Sequence, residues 1–298
     1  MTLRVNPNQT PDLLAALQTA QKQRDASLEQ MATGRRVNRP SDDPAASAQV
    51  VVNHDLSTQI DSFQSSSSSI TGQQQTADST LSSVVTALQR AITLGVQGGN
   101  SGTLSDSNRA AIADELRAIQ TQLVSLANVA YQGRFIFSGT EQGTAPYVAD
   151  TTAPSGVRYI GNDGVNTVSI GNGYQLQVNV PGSQLFSSTR GDMFQSIQNL
   201  ITAVSSDSGI DTAVSGVRQA FDFVTAQRVF YGNGLNQIQS QQTFLDTQKT
   251  QLSSQENAIA GADIAAAASQ VVNSENARNA TLAAIGRVSQ TTLFDFLK

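Results

Sequence analysis

Two heptad frames of unusual length constrain what this 298-residue chain can become. After Pro44, seam positions recur at Ile60, Phe63, Ser67, Ile70, Gln74, Ala77, Leu81, Val84, Leu88 and Ala91, three and four residues apart without a slip. That rhythm keeps one stripe of an α-helix turned toward a partner helix. A second frame runs through Ile210, Val214, Val217, Phe221, Val224, Arg228, Tyr231, Leu235, Ile238, Gln242, Leu245, Lys249, Leu252, Glu256 and Ile259. The first frame predicts a helix from Pro44 to about Val96, about 75–80 Å long at the standard rise, far longer than helices of compact domains. The serines at 65–69 sit in frame and read as a solvated helix face with one small seam residue. Gly232 and Gly234 each cost up to about 1 kcal/mol against Ala. The frame resumes in phase after them, which predicts a continuous but locally weak helix.

Shorter patterns fill the rest. Residues 1–10 are polar, carry Pro7 and read as a flexible lead. From Pro11 a narrower seam passes Leu14, Leu17, Gln21, Arg24, Leu28 and Met31. The glycines near 98–102 mark a loop, after which Ser105 can cap a helix carrying Ile112, Leu116, Ile119, Leu123, Leu126 and Ala130; so short a loop predicts an antiparallel helical hairpin. Asp192 can cap a helix with Met193, Phe194, Ile197, Leu200, Ile201 and Val204, broken at 205–209. Gly261-Ala262-Asp263 punctuates the chain before a last helix with Ile264, Ala268, Val271, Leu282 and Ile285, closing on Leu293, Phe294, Phe296 and Leu297. Between 133 and 189 the period changes to two, in 165–170 and 174–180, around the turn signals Asn162-Asp163-Gly164 and Gly171-Asn172-Gly173. This predicts a small antiparallel β insert.

Thr33-Gly34-Arg35-Arg36-Val37-Asn38-Arg39-Pro40-Ser41-Asp42-Asp43-Pro44 is a joint between the first two helices. Gly34 can end one helix in a left-handed cap and Pro40 forbids its recovery. Asp43 can cap the next helix, with Pro44 at its first position. Arg35, Arg36 and Arg39 form the local basic cluster, read either as a solvated linker or as a contact for an acidic neighbour in an assembly. The expected fold class is mainly α with a small β insert: a long antiparallel helical rod with paired terminal helices and a central antiparallel β domain. Its expected divisions are 1–43 (N-terminal helix and linker), 44–132 (long helical hairpin), 133–190 (small β domain), 191–260 (C-terminal helices of the rod) and 261–298 (C-terminal helix).

Composition excludes several chemistries. There is no Cys, hence no disulfide framework or thiol nucleophile, and the aromatic share of 5% with no Trp favours helix seams over one thick core. A net charge of -5 leaves no electrostatic footprint for nucleic acid. No run of apolar residues matches a secretory signal or a membrane span, so export would take another route and no membrane insertion is expected. Walker, nucleophile-elbow and dinucleotide glycine patterns are missing. His54 has no second His four residues away and reads as a helix-face residue; Asp42 and Asp43 read as capping groups rather than cation ligands. Asp163 lacks the alternating oxygen ligands of a calcium loop. Glu141, Asp150 and Asp163 form no acid pair for hydrolysis, and the Asn-x-Thr triplets at Asn8 and Asn279 carry little weight as glycosylation sites. No cofactor and no catalytic residue is expected.

The segment Thr33-Gly34-Arg35-Arg36-Val37, followed by Pro40-Ser41-Asp42-Asp43-Pro44-Ala45, resembles the N-terminal signature of flagellins and their relatives, in the variant typical of hook-associated protein 3. Leu126-Ala127-Asn128, Gly133-Arg134-Phe135-Ile136-Phe137-Ser138-Gly139, Ala145-Pro146-Tyr147 and the C-terminal Leu293-Phe294-Asp295-Phe296-Leu297 carry the same resemblance. Tyr231-Gly232-Asn233-Gly234 departs from the family's usual single glycine. The resemblance implies a structural, non-enzymatic subunit exported unfolded through the flagellar type III apparatus without a cleaved signal. It implies a place outside the cell at the hook-filament junction, as a ring of copies between hook-associated protein 1 and flagellin, with a flagellar export chaperone before secretion. Flagellin itself is the alternative. In this reading Leu14, Leu17, Leu28 and Met31 with Ile264, Val271, Leu282 and Ile285, and the terminal Leu293, Phe294 and Phe296, form the assembly interface. A coiled coil within one chain would use the same stripe.

Overall fold

A computed structural model describes residues 9–100 and 105–296, with side chains placed for 11–100 and 105–287. The expected loop around Gly102, most of the polar lead and the side chains of Leu293, Phe294 and Phe296 lie outside the described residues. The chain forms two compact units, one of residues 1–59 with 247–298 and one of residues 60–246. Its long helices are α1 (Gln9–Thr33), α2 (Pro44–Gly99), α3 (Asp106–Ala127), α5 (Met193–Ser206), α6 (Ile210–Ala260) and α7 (Ile264–Phe296), with a single turn α4 (Gly182–Leu185). The fold is mainly α with a small β complement.

Helix ends follow their capping residues. The Ser105 hydroxyl accepts from the Asn108 amide at 3.3 Å and the Asp192 carboxylate accepts from the Gln195 amide at 2.8 Å, starting α3 and α5. Asp207 ends α5 in the left-handed region at φ 52°. Gly232 and Gly234 leave α6 unbroken, because tertiary packing on both sides outweighs their low propensity.

In the 60–246 unit the predicted frames are the core. Leu81 and Leu88 of α2, Leu116 and Leu123 of α3, Ile197 and Leu200 of α5, and Val217, Val224 and Tyr231 of α6 belong to one buried cluster. Arg90 pairs with Glu115 at 2.7 Å between α2 and α3, and Asp78 pairs with Arg228 at 3.0 Å between α2 and α6. Gln64 donates to Asp246 at 2.6 Å, so α6 positions rise as α2 positions fall and the two segments run antiparallel. Polar seam residues are also buried: Gln74 donates to the Val178 carbonyl at 2.9 Å, and the Tyr231 hydroxyl accepts from the Val180 amide at 3.4 Å.

Among the described residues the strands form four two-stranded antiparallel ladders rather than one sheet. They are β1 (Ala130–Tyr131) with β2 (Arg134–Phe135), β3 (Tyr147–Ala149) with β4 (Val157–Tyr159), β5 (Thr167–Gly171) with β6 (Tyr174–Gln177), and β7 (Ser187–Ser188) with β8 (Gly191–Asp192). Gly171-Asn172-Gly173 supplies the β5–β6 turn, with Gly173 at φ 73°. Asn162-Asp163-Gly164 is not a hairpin turn, because β4 and β5 do not pair. Its Asn162 side-chain oxygen instead accepts from the Thr140 amide at 2.8 Å and the Gly164 amide at 3.1 Å, which pins an irregular crossover. Phe137, Tyr147 and Phe186 bury into the same cluster as the helices. A second cluster, Ile70, Ile170, Leu176, Val178 and Ile238, seats the β5–β6 hairpin on α2 and α6.

Candidate assembly site

The unit of residues 1–59 and 247–298 holds the joint and the α1–α7 pair. Gly34 closes α1 at φ 69°, its amide donating to the Gln30 carbonyl at 2.9 Å. Residues 39–42 make a tight turn, Asp42 N–H to Arg39 carbonyl at 3.0 Å, with Pro40 in the second position that its fixed φ suits. The Asp42 carboxylate accepts from the amides of Asn38 at 3.1 Å and Arg39 at 2.8 Å. Asp43 then accepts from the Ala46 amide at 3.0 Å and starts α2 with Pro44 in its first position. That bond, helped by the Arg36 guanidinium at 3.1 Å, holds the Asp43 carboxyl below its ordinary value of 3.8.

The second break in the chain is stitched to the first. The Arg36 amide donates to the Ala260 carbonyl at 2.7 Å and the Ala262 amide to the Gly34 carbonyl at 2.9 Å, around an antiparallel bridge between Arg35 and Gly261. Arg35 pairs with Glu256, Arg36 also donates to the Ile259 carbonyl at 2.8 Å, and Arg39 reaches Glu29 at 3.5 Å. The basic cluster is therefore partnered within the chain. Val37, Ala46 and Ala260 bury beneath it. Asp263 caps α7 through the amides of Ala265 and Ala266 at 2.9 and 3.0 Å.

Helices α1 and α7 pack on one another through small side chains. Ala20 and Ser27 of α1, and Ala267 and Ser274 of α7, are buried, and Leu17, Val271 and Ile285 are half-buried. The heptad toward the partner runs Leu13, Leu17, Ala20, Arg24 and Ser27 on α1, and Ala267, Val271, Ser274, Arg278, Thr281 and Ile285 on α7. The sequence places the seam of α1 one residue away at several positions. The side chains it takes for seam residues, Leu14, Leu28 and Met31, are 48%, 45% and 38% exposed, and Ile264 and Leu282 are 46% and 43% exposed. Leu14 and Leu28 on α1 and Ile264 and Leu282 on α7 thus form a second face beside the seam, whereas Met31, four residues after Ser27, continues the seam line itself toward the joint. Val272, which sequence reasoning missed, is 56% exposed and lies about 80° farther round α7 than Ile264 and Leu282. Small residues at heptad spacing were the available signal, outweighed in a hydrophobicity pattern by the leucines beside them.

The bacterial flagellin N-terminal helical region matches residues 8–142. Flagellar hook-associated protein 3 of Salmonella typhimurium is 37% identical over 161 residues, 54% of this chain and 49% of that protein. The chain therefore aligns with about half the length of that relative. Bacillus subtilis flagellin is 25% identical over 282 residues, 89% of this chain and 88% of the flagellin. A crystal structure of Bacillus cereus FlgL superposes with a TM-score of 0.58 at 22% identity, covering 70% of this chain and 99% of that one. In its N-terminal part the chain is similar to the flagellins and to hook-associated protein 3.

The signature segments between Thr33 and Tyr147 each have a mechanical reason in this fold. The first is the joint itself. In Leu126-Ala127-Asn128, Ala127 is fully buried, and the Asn128 side chain donates to the Tyr147 carbonyl and accepts from its amide, both at 2.8 Å. Asn128 thus pairs with Tyr147 as a neighbouring strand would, which accounts for Ala145-Pro146-Tyr147 in the same signature. In Gly133 to Gly139, Ile136 and Phe137 are buried, Phe137 meets Phe186 edge to face at 5.1 Å, and its carbonyl accepts from Gly182 at 2.7 Å. Gly139 is required: at φ 77°, a Cβ there would lie 2.1 Å from the Asn162 carbonyl oxygen.

Proposed function

We propose that this chain is a structural, non-catalytic subunit of the bacterial flagellum, an adaptor at the hook-filament junction connecting hook-associated protein 1 to flagellin. The observation that carries the reading is the exposed apolar face of the α1–α7 pair, Leu14, Leu28, Ile264 and Leu282, beside a seam of small residues. Such a face gains stability from burial against neighbouring copies. Copies related head to tail by rotation close into a ring or extend into a filament. The resemblance to hook-associated protein 3 favours the ring. Secretion would follow the flagellar type III route without a cleaved signal, with an export chaperone beforehand, and the final location is outside the cell. Leu293, Phe294 and Phe296 would extend the same interface toward the C-terminus.

Flagellin is the second reading, favoured by the match to Bacillus subtilis flagellin over most of both chains. Purified protein added to flagellar filament fragments separates the two. A short cap that stops growing supports the adaptor, and extensive homopolymer growth supports flagellin. Deleting the gene should leave hooks without filaments and flagellin in the medium; filaments retained in a strain with no second copy would overturn the adaptor reading.

A further inference from the structure

The β5–β6 turn carries chemistry that the assembly reading does not use. Asn172 and Gly173 are both exposed, Gly173 sits at φ 73°, and a Cβ built on it would meet nothing within 4 Å. The Asn172 carboxamide has no hydrogen-bond partner among the described residues, and the Gly173 amide donates to none of the turn and loop acceptors around it. A side-chain amide free to rotate therefore lies next to an unhindered main-chain nitrogen. We propose that Asn172-Gly173 is a self-modification site, at which the folded chain converts asparagine to aspartyl and isoaspartyl without an enzyme.

The step balances within the chain and water. The Gly173 nitrogen gives up its proton to solvent base and attacks the Asn172 side-chain carbonyl carbon. A carbon–nitrogen bond forms, the carbon–NH2 bond breaks, and ammonia leaves with the returned proton. Water then opens the five-membered imide. Cleavage of the ring nitrogen's bond to the side-chain carbonyl gives aspartate, and cleavage of its bond to the main-chain carbonyl gives isoaspartate.

Two other pairs among the described residues, one Asn-Gly and one Asp-Gly, show why the fold favours residue 172. Asn233-Gly234 lies inside α6, where helical geometry holds the following nitrogen away from the side chain and ties it in the hydrogen-bond ladder. At Asp163-Gly164 the Gly164 amide donates to Asn162 at 3.1 Å and the Asp163 carboxylate accepts from Ser183. Both competing sites are locked, and residue 172 is not. The modification would also be felt. The turn rests on α6, with a Gly171 Cβ position only 2.3 Å from the Gln241 side-chain nitrogen and the Tyr174 hydroxyl 3.2 Å from Gln237. An isoaspartyl link lengthens the main chain between these two contacts and adds a negative charge to an amide-lined groove.

The test is peptide mapping of the folded full chain during incubation in mildly alkaline buffer, with electron-based fragmentation to separate the two products. Residue 172 should convert at least about tenfold faster than residue 233, a barrier difference of about 1.4 kcal/mol, and should yield both aspartyl forms. In denaturant the two sites should converge, because only the fold distinguishes them. G173A should slow conversion at 172 while leaving the melting curve of the remaining core recognisable. Equal rates at 172 and 233 in the folded chain, or conversion at 172 unaffected by G173A, would overturn the proposal.

Discussion

Asn128 shows how much one side chain can carry. Its amide satisfies both main-chain groups of Tyr147, whose ring packs against Phe194 at 5.0 Å and Phe186 at 6.0 Å. N128A should cost about 2 kcal/mol by stranding those groups away from water, read as a lowered urea midpoint with an unchanged slope. Burial pushes the Tyr147 hydroxyl above its usual range and that of Tyr159 up to about 12, so neither ionises at moderate alkalinity. The opposite change is available at Gly232, whose Cβ position is open. G232A should stabilise by about 0.5–1 kcal/mol, the ordinary helix-interior penalty of glycine, and a fall in the midpoint would refute the view of α6 as merely weak there. At this scale capping was legible in the sequence, because Ser105, Asp192 and Asp43 act on their own next turn. The roles of Asn128 and Asn162 were not, because each bonds main chain about twenty residues away.

Among the elements, long helices were read well and strands less so. A heptad sustained over ten positions leaves one face to bury, and α2 buries it from Ile60 to Ala91 with few exceptions. The β ladders are two to five residues long, too short for alternation to reveal which segments pair, so Asn162-Asp163-Gly164 looked like a hairpin turn. The α1 seam was misplaced because a reader of hydrophobicity follows leucine, whereas close helix approach selects alanine and serine. A267L should wedge that pair apart and destabilise it by about 1–3 kcal/mol, lowering the unfolding temperature of α7 amides in hydrogen exchange. The α2 cap titrates. Because the folded Asp43 pKa lies below 3.8, its contribution is whole above that pH and is lost as pH falls through the folded value. D43N can cap but cannot titrate, so the Tm difference between native chain and variant should stay flat above pH 3.8 and shrink below it.

For the whole molecule, the decisive question is what covers the apolar face of α1 and α7. Changing Leu14 and Leu28 together to serine should lower the melting temperature only modestly, since these side chains are about half exposed. The same variant should fail to join filament ends in a seeding assay. Normal incorporation would show that the face serves another purpose. The resemblance to flagellins could be read from a dozen residues at the joint and a few later segments, whereas the division of labour between a small-residue seam and a large apolar face required the folded pair.

The stitched joint also limits how such a chain can change length. Gly34 and Ala262 are hydrogen-bonded across more than two hundred residues of sequence, so the register of α1 is anchored at its C-terminal end. Adding one residue within α1 would turn everything before it by about 100° about the helix axis and exchange the seam for the outer face. Adding seven would turn it by only about 20°. Insertions and deletions in the terminal helices should therefore survive in multiples of seven.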